Sequence, residues 1–480
     1  MAARRFNRQS TPIVESPSVE PHQDGLPIPR RYWSAGAIWL ALAMAVLDGA
    51  IANVALPTIA RELGASPASS VWVINAYQLT ITILLLPLAA LGDRIGYKCI
   101  YLPGLALFTI GSVACAMGHT LGLLIAARVF QGIGAACIMS MNAALVRATY
   151  PASMLGRGIG YNAMVLSLSA AIGPTLAALI LTVATWPWLF LINLPIGIAA
   201  LIVGKKSLPE PQGHGHAFDW PSAILSGAMM GCIVFGAEAF AREGNRFGLA
   251  LVVAGIVAGT ALAWRERGEP RPLMPVDLLK IPIFTLSITT SVVSFAAQML
   301  AYVALPFLFQ SVLGRSVIAT GLLMTPWPIA VGIAAPFAGR LADRFNAGLL
   351  GGIGLAIFAA GLFFLSRLGA SPGDLDIAWR MAVCGLGFGL FQSPNNRTIV
   401  SSAPKPRSGA AGGMLATARL LGQTTGAVAV GVAFHLAGVH AAPGLMLAAS
   451  IAALIAAVLS LTRMGVAPPS RVAVYKPILD

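Results

Sequence analysis

Long runs of apolar residues, separated by short polar breaks, follow one another along nearly the whole chain. A helix that crosses a membrane needs about 20 predominantly apolar residues, and fourteen runs of this kind occur. We therefore predict an all-α polytopic membrane protein with fourteen transmembrane helices. The predicted spans are residues 34–57, 70–91, 99–118, 120–145, 157–183, 187–204, 221–241, 247–264, 283–310, 315–339, 348–366, 377–396, 408–433 and 441–463.

One polar turn occurs twice in this pattern. Residues 89–96 read AALGDRIG and residues 339–346 read GRLADRFN, so the turn returns after 250 residues. Each copy follows the second span of a group of six once spans seven and eight are set aside. Such internal repeats are typical of transporters that are built from two related halves. The pattern therefore predicts two six-helix bundles with two extra helices inserted at the centre.

Polar and proline-rich stretches set the domain boundaries. Residues 1–32 lack a short apolar core with a cleavage site, and we expect a disordered cytoplasmic tail. The N-terminal six-helix bundle is predicted over 33–204 and the C-terminal one over 283–463. Residues 205–282 hold the linkers and inserted helices seven and eight, and residues 464–480 form a second cytoplasmic tail.

Composition and charge agree with a membrane location and give it a direction. The chain is 57% hydrophobic and only 10% charged, which excludes an ordinary water-soluble core. With a cytoplasmic N-terminus, 23 of the 31 Lys and Arg residues fall on the cytoplasmic side, as the positive-inside rule requires. We therefore expect the inner (cytoplasmic) membrane, both termini in the cytoplasm, and the lipid bilayer as partner. No basic groove or recognition helix indicates nucleic-acid binding.

Six segments of the chain contain recognisable motifs. They are 89–98, LDGAIANVALP at 47–57, RVFQGIGA at 128–135, the Gly173-Pro174 pair, WLFLINLP at 188–195 and SPNN at 393–396. Together these segments resemble the major facilitator superfamily, in particular its motif A and the helix signatures of its fourteen-helix drug:proton antiporters, the exporters of quaternary ammonium and methyl viologen type. The resemblance covers about residues 33–463. Ala89 replaces the usual first glycine of motif A, and Ala177 and Ala178 replace a glycine pair in the fifth-helix motif.

Asp48 and Arg128 are the candidate coupling residues. Asp48 lies about fourteen residues into the first predicted span, where an acid costs ~2.5–3.5 kcal/mol unless it faces a cavity or a partner. At 1.5 Å per residue, Asp48 and Arg128 lie ~14 and ~12 Å below the outer surface, so the two side chains can meet. Asp48 is interpreted as a proton carrier that attracts cations, and a structural hydrogen-bonded acid or salt bridge is the alternative.

Two further charged residues are weaker candidates for coupling. Arg419 lies within the thirteenth predicted span, and binding to backbone carbonyls in helix packing is as good an interpretation as a transport role. Glu238 lies near the outer end of span seven, where a solvated peripheral acid is favoured over a second cation-attracting carboxylate.

The repeated turns and the glycine-proline pair are expected to serve the conformational cycle. The turn residues are expected to form and break ion pairs as the halves move. Gly173 and Pro174 either bend span five, because proline lacks an N–H donor, or permit close packing of small residues. The switch candidates are Asp93, Arg94, Gly96, Lys98, Asp343 and Arg344.

The resemblance implies a proton-coupled antiporter that exports lipophilic compounds, preferentially cationic drugs, biocides or dyes, by alternating access. Its partners are then small-molecule substrates, lipophilic cations above all, and protons. A transporter of the same fold with another cargo, such as a metabolite exporter or an uptake symporter, is the alternative. No Walker A sequence occurs, so we expect no ATP-driven export by this chain. We also expect no enzymatic activity, no metal and no cofactor, because a proton gradient would drive the transport.

Overall fold

The computed structural model describes residues 25–210, 219–243, 246–267, 275–342, 344–404 and 407–465. Most of the two predicted tails and the middle of each predicted linker lie outside these residues. Within them the chain is helical and contains no strand. The all-α polytopic class that the apolar runs predict is therefore confirmed.

Seventeen α-helices account for nearly all of the described residues. They are α1 (Arg30–Glu62), α2 (Pro67–Ser70), α3 (Trp72–Ile95), α4 (Tyr97–Ala116), α5 (Leu121–Thr149), α6 (Leu155–Val183), α7 (Trp188–Leu191), α8 (Asn193–Ser207), α9 (Trp220–Glu243), α10 (Arg246–Arg265), α11 (Pro282–Phe307), α12 (Val317–Met324), α13 (Pro326–Leu341), α14 (Ala347–Ser366), α15 (Asp374–Ser402), α16 (Ser408–Ala437) and α17 (Ala442–Thr462).

Twelve stretches of the described chain are long and apolar enough to cross a membrane. The expected number of fourteen is therefore not confirmed. The difference arises at two places. The stretch Ala410–Gly465 contains most of α16 and all of α17, which a 3-10 turn separates. Helix α15 is 29 residues long but is not one of the twelve, because charged and amide side chains occupy both of its ends.

The chain packs as two groups of helices. Helices α1, α3, α4, α5, α6 and α8 pack on one another, and so do α11 and α13 to α17, while α12 packs mainly on α6 of the first group. We call residues 30–207 the N half and residues 282–463 the C half. The predicted domain boundaries themselves stay a prediction.

Equivalent glycines mark the same helix crossing in both halves. A Cβ on Gly134 would lie 2.4 Å from the Phe108 nitrogen and 2.6 Å from the Gly104 oxygen, where α5 crosses α4. A Cβ on Gly387 would lie 2.3 Å from the Phe358 nitrogen and 2.6 Å from the Gly354 oxygen, where α15 crosses α14. These helix pairs approach so closely that only hydrogen fits at the crossing. The two halves thus share a packing detail as well as a turn.

Helices α9 and α10 form an antiparallel pair between the halves in sequence, and α9 contacts both α3 and α16. The side chains of Arg265 and Asp219 join the two ends of the pair at 3.1 Å. Burial raises the pKa of Asp219, but hydrogen bonds from Ser222 and Arg265 outweigh it and bring the pKa below its ordinary value. The inserted pair is thus held as a unit against one helix of each half.

The helices define two ends of the molecule. Arg30 donates to the Ser207 carbonyl at 3.1 Å, so α1 begins where α8 ends. Arg463 donates to Ser287 at 3.0 Å, so α17 ends where α11 begins. We call this side the terminus end, and the side where α1 and α11 end is called the far end.

Among the described residues, hydrogen bonds between the two halves are found in the middle of the bundle and toward the far end. They tie α1 to α11 and its π-helical continuation Leu308–Val312, α3 to α16, and α6 to Thr325. The bonds are Asn53 to the Tyr302 carbonyl (2.6 Å), Gln310 to the Val54 carbonyl (3.0 Å), the Thr58 hydroxyl to Gln310 Oε1 (3.5 Å), Gln78 to Gln423 (2.9 Å), Thr82 with Thr424 (3.1 Å) and Thr175 with Thr325 (2.6 Å).

Candidate functional site: a buried carboxylate network beside a central cavity

Asp48 lies at the centre of a buried polar network in the N half. Its carboxylate is ion-paired with Arg128 and accepts hydrogen bonds from Gln131 Nε2 at 2.8 Å and Asn193 Nδ2 at 2.9 Å. Ser112 Oγ accepts from Gln131 at 2.8 Å and from Asn193 at 3.3 Å. Each of these side chains is at most 1% exposed. The network thus joins α1, α5 and α8 at the carboxylate, and α4 through Ser112.

Arg128 is held from several directions as well. Its Nε donates to the Val73 carbonyl at 3.0 Å, and its Nη1 donates to Gln131 Oε1 at 2.6 Å. The guanidinium carbon lies 4.0 Å from the centre of the Tyr77 ring, which supplies a cation–π contact. The Tyr77 hydroxyl in turn donates to the Ala45 carbonyl at 3.2 Å, one turn before Asp48. The charge pair is therefore fixed in position by α1, α3 and α5 together.

This arrangement stabilises a carboxylate away from water. A buried carboxylate is tolerated when it is paired and hydrogen-bonded. Arg128 stabilises the charged form, and Gln131 and Asn193 donate to it. The network therefore holds one buried carboxylate through an ion pair and two amide donors.

Sequence reasoning placed Asp48 and Arg128 at matching depths, and the structure brings them into contact. It did not single out Gln131, Asn193 or Ser112. Gln131 follows Arg128 by three positions and so shares its helix face. Gln131 and Asn193 lie in the segments RVFQGIGA at 128–135 and WLFLINLP at 188–195, which carry the family resemblance. Two features of the sequence could have indicated these two residues. Each is a polar residue within an apolar helix, and it lies either one turn from a buried charge or in a recurring motif.

The first repeated turn lies at the terminus end. Asp93 and Arg94 are exposed, and Tyr97 donates its hydroxyl proton to Asp93 at 2.8 Å. Gly96 has φ +98°, a conformation that side chains disfavour, so the turn requires glycine. Lys98 lies 3.4 Å from Glu210. A role for these residues in conformational switching stays a prediction.

Other candidates are only partly described. Asp343 lies outside the described residues, and Arg344 is exposed in the second turn. Glu238 belongs to α9, but its side chain also lies outside the described part of the structure. Neither expectation is tested by the geometry.

Gly173 and Pro174 lie where the N half meets the C half. Helix α6 runs without interruption from Leu155 to Val183 through Pro174. A Cβ on Gly173 would lie 2.4 Å from the Ala50 Cβ of α1, and a Cβ on Gly321 of α12 would lie 2.5 Å from the Pro174 oxygen. Helix α6 thus packs closely on α1 at Gly173 and on α12 at Pro174. The role of the pair in transport stays a prediction.

A cavity of about 200 Å³ lies between the halves. It lies on the terminus side of the hydrogen bonds that join α3 to α16, since Leu85 follows Thr82 toward that end. Arg419 lines it together with two amides, while Asp48 and Arg128 do not. The described lining residues are Leu85, Met139, Phe295, Gln392, Asn396, Gly412, Leu415, Ala416, Arg419 and Leu420.

The fold and the site together define an integral membrane protein of the transporter class. Two related helix groups enclose a cavity, and one group holds a buried carboxylate. Among the described residues, no group of three or more His, Cys, Asp or Glu side chains is placed to hold a metal ion.

Comparison with known families identifies the class more closely. The sequence profile of the Major Facilitator Superfamily matches residues 38–427 and 286–474. The chain therefore belongs to the major facilitator superfamily, and this membership indicates a transporter rather than an enzyme. It confirms the predicted fold and superfamily, but not the fourteen-helix antiporter subfamily.

Several relatives cover most of the chain. It is 52% identical over 442 residues to "Uncharacterized transporter YebQ" of Escherichia coli (strain K12), covering 91% of this chain and 96% of the relative. It is 32% identical to "Riboflavin transporter RibZ" of Clostridioides difficile (strain 630), covering 83% and 86%. It is 31% identical to "Multidrug resistance protein Stp" of Mycobacterium tuberculosis (strain CDC 1551 / Oshkosh), covering 82% and 74%.

The fold is also similar to that of a solved transporter. The crystal structure of a POT family transporter in complex with a thioalcohol-conjugated peptide superimposes with a TM-score of 0.69 and covers 90% of this chain and 96% of the other. The two sequences are 15% identical, so the likeness concerns the fold.

Proposed function

We propose that this chain is a proton-coupled antiporter that exports lipophilic small molecules by alternating access. The observation that carries the proposal is the separation of two sites. A buried, ion-paired carboxylate at Asp48 lies within the N half, and the cavity between the halves is lined by other residues. Asp48 then exchanges the proton, while cargo occupies the cavity.

The lining of the cavity supports a lipophilic cargo. Leu85, Met139 and Phe295 present apolar and aromatic surface, and methionine in particular adapts to ligands of different shape. An apolar pocket with a few polar groups is the usual form of a small-molecule site. The similarity to a protein named for multidrug resistance agrees with this cargo class.

Orientation in the membrane follows from charge. The excess of Lys and Arg in the turns and tails supports a cytoplasmic terminus end in the cytoplasmic membrane. The cavity lies toward that end, and the described bonds between the halves lie beyond it. This arrangement suits loading from the cytoplasm, with release after the far end opens.

The expected preference for cationic cargo assumes that Asp48 attracts the cargo directly. In the structure Asp48 is 1% exposed, is paired with Arg128 and does not line the cavity. We therefore assign Asp48 to coupling and not to selection of cargo charge. An uptake symporter or a metabolite exporter of the same fold remains the second candidate, because the similarity to a riboflavin transporter shows that relatives carry other cargo.

Transport in proteoliposomes tests the proposal. Purified protein is reconstituted with neutral, anionic and cationic lipophilic fluorescent dyes, and a pH gradient of either sign is imposed. We expect accumulation of at least one dye against its own gradient when protons flow in the opposite direction, and its loss when a proton uncoupler is added. Accumulation only in the same direction as proton flow indicates a symporter. Transport that ignores both gradient and uncoupler rules out coupling.

A further inference from the structure

Arg419 is half-buried and differs in its contacts from Arg128 and Arg463, although Arg128 Nη2 also has no hydrogen-bond partner among the described residues. Arg128 is paired with Asp48, and Arg463 donates to Asn395 at 2.5 Å and to Ser287 at 3.0 Å. Arg419 Nε is buried and has no hydrogen-bond partner within the described structure, and its guanidinium carbon lies 5.6 Å from the centre of the Phe295 ring. Removing a guanidinium from water, even in part, is costly when a buried N–H group has no acceptor. In the part of the chain that the structure describes, the half-buried Arg419 therefore lacks an anionic or polar partner for its Nε.

The position of Arg419 indicates where that partner would come from. Arg419 lines the central cavity, and Gln392 and Asn396, one turn apart on α15, line it as well. Their amide groups can donate hydrogen bonds to the same bound group. No acidic residue is among the cavity-lining residues that the structure describes. The described polar lining of the cavity thus combines one positively charged side chain with two amides that can donate hydrogen bonds.

The rest of the lining is apolar and comes from both halves. Leu85 and Met139 belong to the N half, while Phe295, Leu415 and Leu420 belong to the C half. A molecule that fits this lining has an apolar, preferably aromatic, body and an anionic head. A carboxylate suits arginine best, because the planar guanidinium binds it through two parallel hydrogen bonds.

We propose that Arg419 is the cargo-binding residue that selects an aromatic carboxylate, with Gln392 and Asn396 donating to the same head group. The inference rests on the proposed transport function and specifies its cargo. It replaces lipophilic cations with lipophilic anions as the preferred class, and it assigns the selection to the C half.

A set of probes with one aromatic body isolates the head group. The probes are 2-naphthoate, 2-naphthalenemethanol and 2-naphthylmethylammonium, and binding is measured by calorimetry on protein in a neutral detergent. We expect wild-type protein to bind 2-naphthoate most tightly. Arg419→Gln should weaken 2-naphthoate binding by roughly tenfold to a hundredfold, since a hydrogen bond to a charged group is lost. It should leave binding of the alcohol nearly unchanged.

Two further variants separate binding from folding. Arg419→Lys keeps the charge without the paired geometry and should lie between wild type and Arg419→Gln. Arg367→Gln removes an exposed arginine at the far end and should leave the order of the three probes unchanged. If Arg419→Gln does not fold, two results still test the role of Arg419. They are the order in which wild-type protein binds the three probes and the affinity of Arg419→Lys for 2-naphthoate.

Several results would overturn the inference. They are wild-type protein that binds the ammonium probe as tightly as 2-naphthoate, no binding of 2-naphthoate, or equal weakening of all three probes in Arg419→Gln. Proton-driven transport of cations alone would also overturn it and would leave the proposed function intact. Conversely, a preference for 2-naphthoate without any effect of the proton gradient would contradict the coupling and support the binding site.

Discussion

Asp48 and Arg128 form a buried ion pair, so the stability of the protein depends on keeping both charges together. Removing one partner of a buried pair leaves an uncompensated charge and typically costs about 3–5 kcal/mol, whereas replacing both with apolar residues is often neutral. We expect Arg128→Met to lower the melting temperature of the purified protein clearly, and Asp48→Leu/Arg128→Met to recover much of the loss. Thermal unfolding of the two variants and of Asp48→Leu forms a double-mutant cycle.

The pair between Asp376 and Arg380 provides a surface control for this cycle. These side chains lie 2.8 Å apart at the far end and are 36% and 15% exposed. Exposed pairs contribute at most about 1 kcal/mol, so Asp376→Asn should change the melting temperature little. Equal losses for Asp376→Asn and Arg128→Met would contradict the importance assigned to the buried pair.

At the scale of single residues, the sequence indicates the charged members of the site better than its amide members. Asp48 and Arg128 are conspicuous because a charge within an apolar run is costly, and their depths can be counted from the ends of the spans. Gln131 and Asn193 carry no such cost signal, and whether an amide faces lipid or a partner depends on how neighbouring helices rotate. Their contact with Asp48 requires the packing of α1, α5 and α8, which the chain pattern does not give.

The helix crossings depend on glycines that the hydropathy pattern does not distinguish. A Cβ on Gly134 would clash with the backbone of α4, while a Cβ on Gly122 of the same helix meets nothing within 4 Å. We expect Gly134→Ala to destabilise the protein by about 1–3 kcal/mol through overpacking. Gly122→Ala should be neutral or stabilise by up to about 1 kcal/mol. Thermal unfolding of both variants checks this, and a neutral Gly134→Ala would show that the crossing is loosely packed.

The position of the helices follows closely from apolar runs, but their ends do not. The first predicted span covers 34–57, whereas α1 extends from Arg30 to Glu62. Hydropathy marks the hydrocarbon boundary, while helical hydrogen bonds continue into the interface. The predicted span 315–339 is divided into α12 and α13 because Pro326 and Pro328 cannot donate to the preceding turn. Thr325, which lies between α12 and α13, keeps helical backbone angles of φ −63° and ψ −37°.

The number of membrane spans is difficult to count by hydropathy alone, because a helix with polar side chains can still lie within the bundle. Helix α15 has an apolar middle, but Asn395 within it is 0% exposed and donates to Ser291 at 2.7 Å. Arg463 contributes a further bond to Asn395. Polar side chains that pair inside the bundle lower the apparent hydropathy of a helix without making it unsuitable for a membrane. Such pairing cannot be predicted from the helix alone.

Across the whole molecule, alternating access requires the bonds between the halves to break. The side-chain oxygens of Thr175 and Thr325 lie 2.6 Å apart between the halves, and those of Ser34 and Thr149 lie 3.0 Å apart within the N half. We expect a disulfide in Thr175→Cys/Thr325→Cys to stop dye transport while dye still binds, and a reductant to restore transport. Transport assays before and after oxidation provide the measurement.

The matched disulfide in Ser34→Cys/Thr149→Cys should leave transport largely intact, because its two helices move together. Both pairs are made with Cys99 and Cys232 replaced by Ala, since neither of these native cysteines is fully buried. Full transport with the disulfide between the halves closed would contradict a rocking motion about the cavity.

The central claim is that Asp48 couples cargo to protons without binding the cargo itself. Asn at this position keeps the shape and an oxygen that accepts from Arg128, but it cannot exchange a proton. The measurement is made on Asp48→Asn in proteoliposomes, where exchange of labelled for unlabelled cargo is compared with accumulation driven by a pH gradient. We predict exchange close to the wild-type rate and no accumulation above the external concentration. Wild-type accumulation by Asp48→Asn under the same pH gradient would contradict the account and leave Asp48 a purely structural residue.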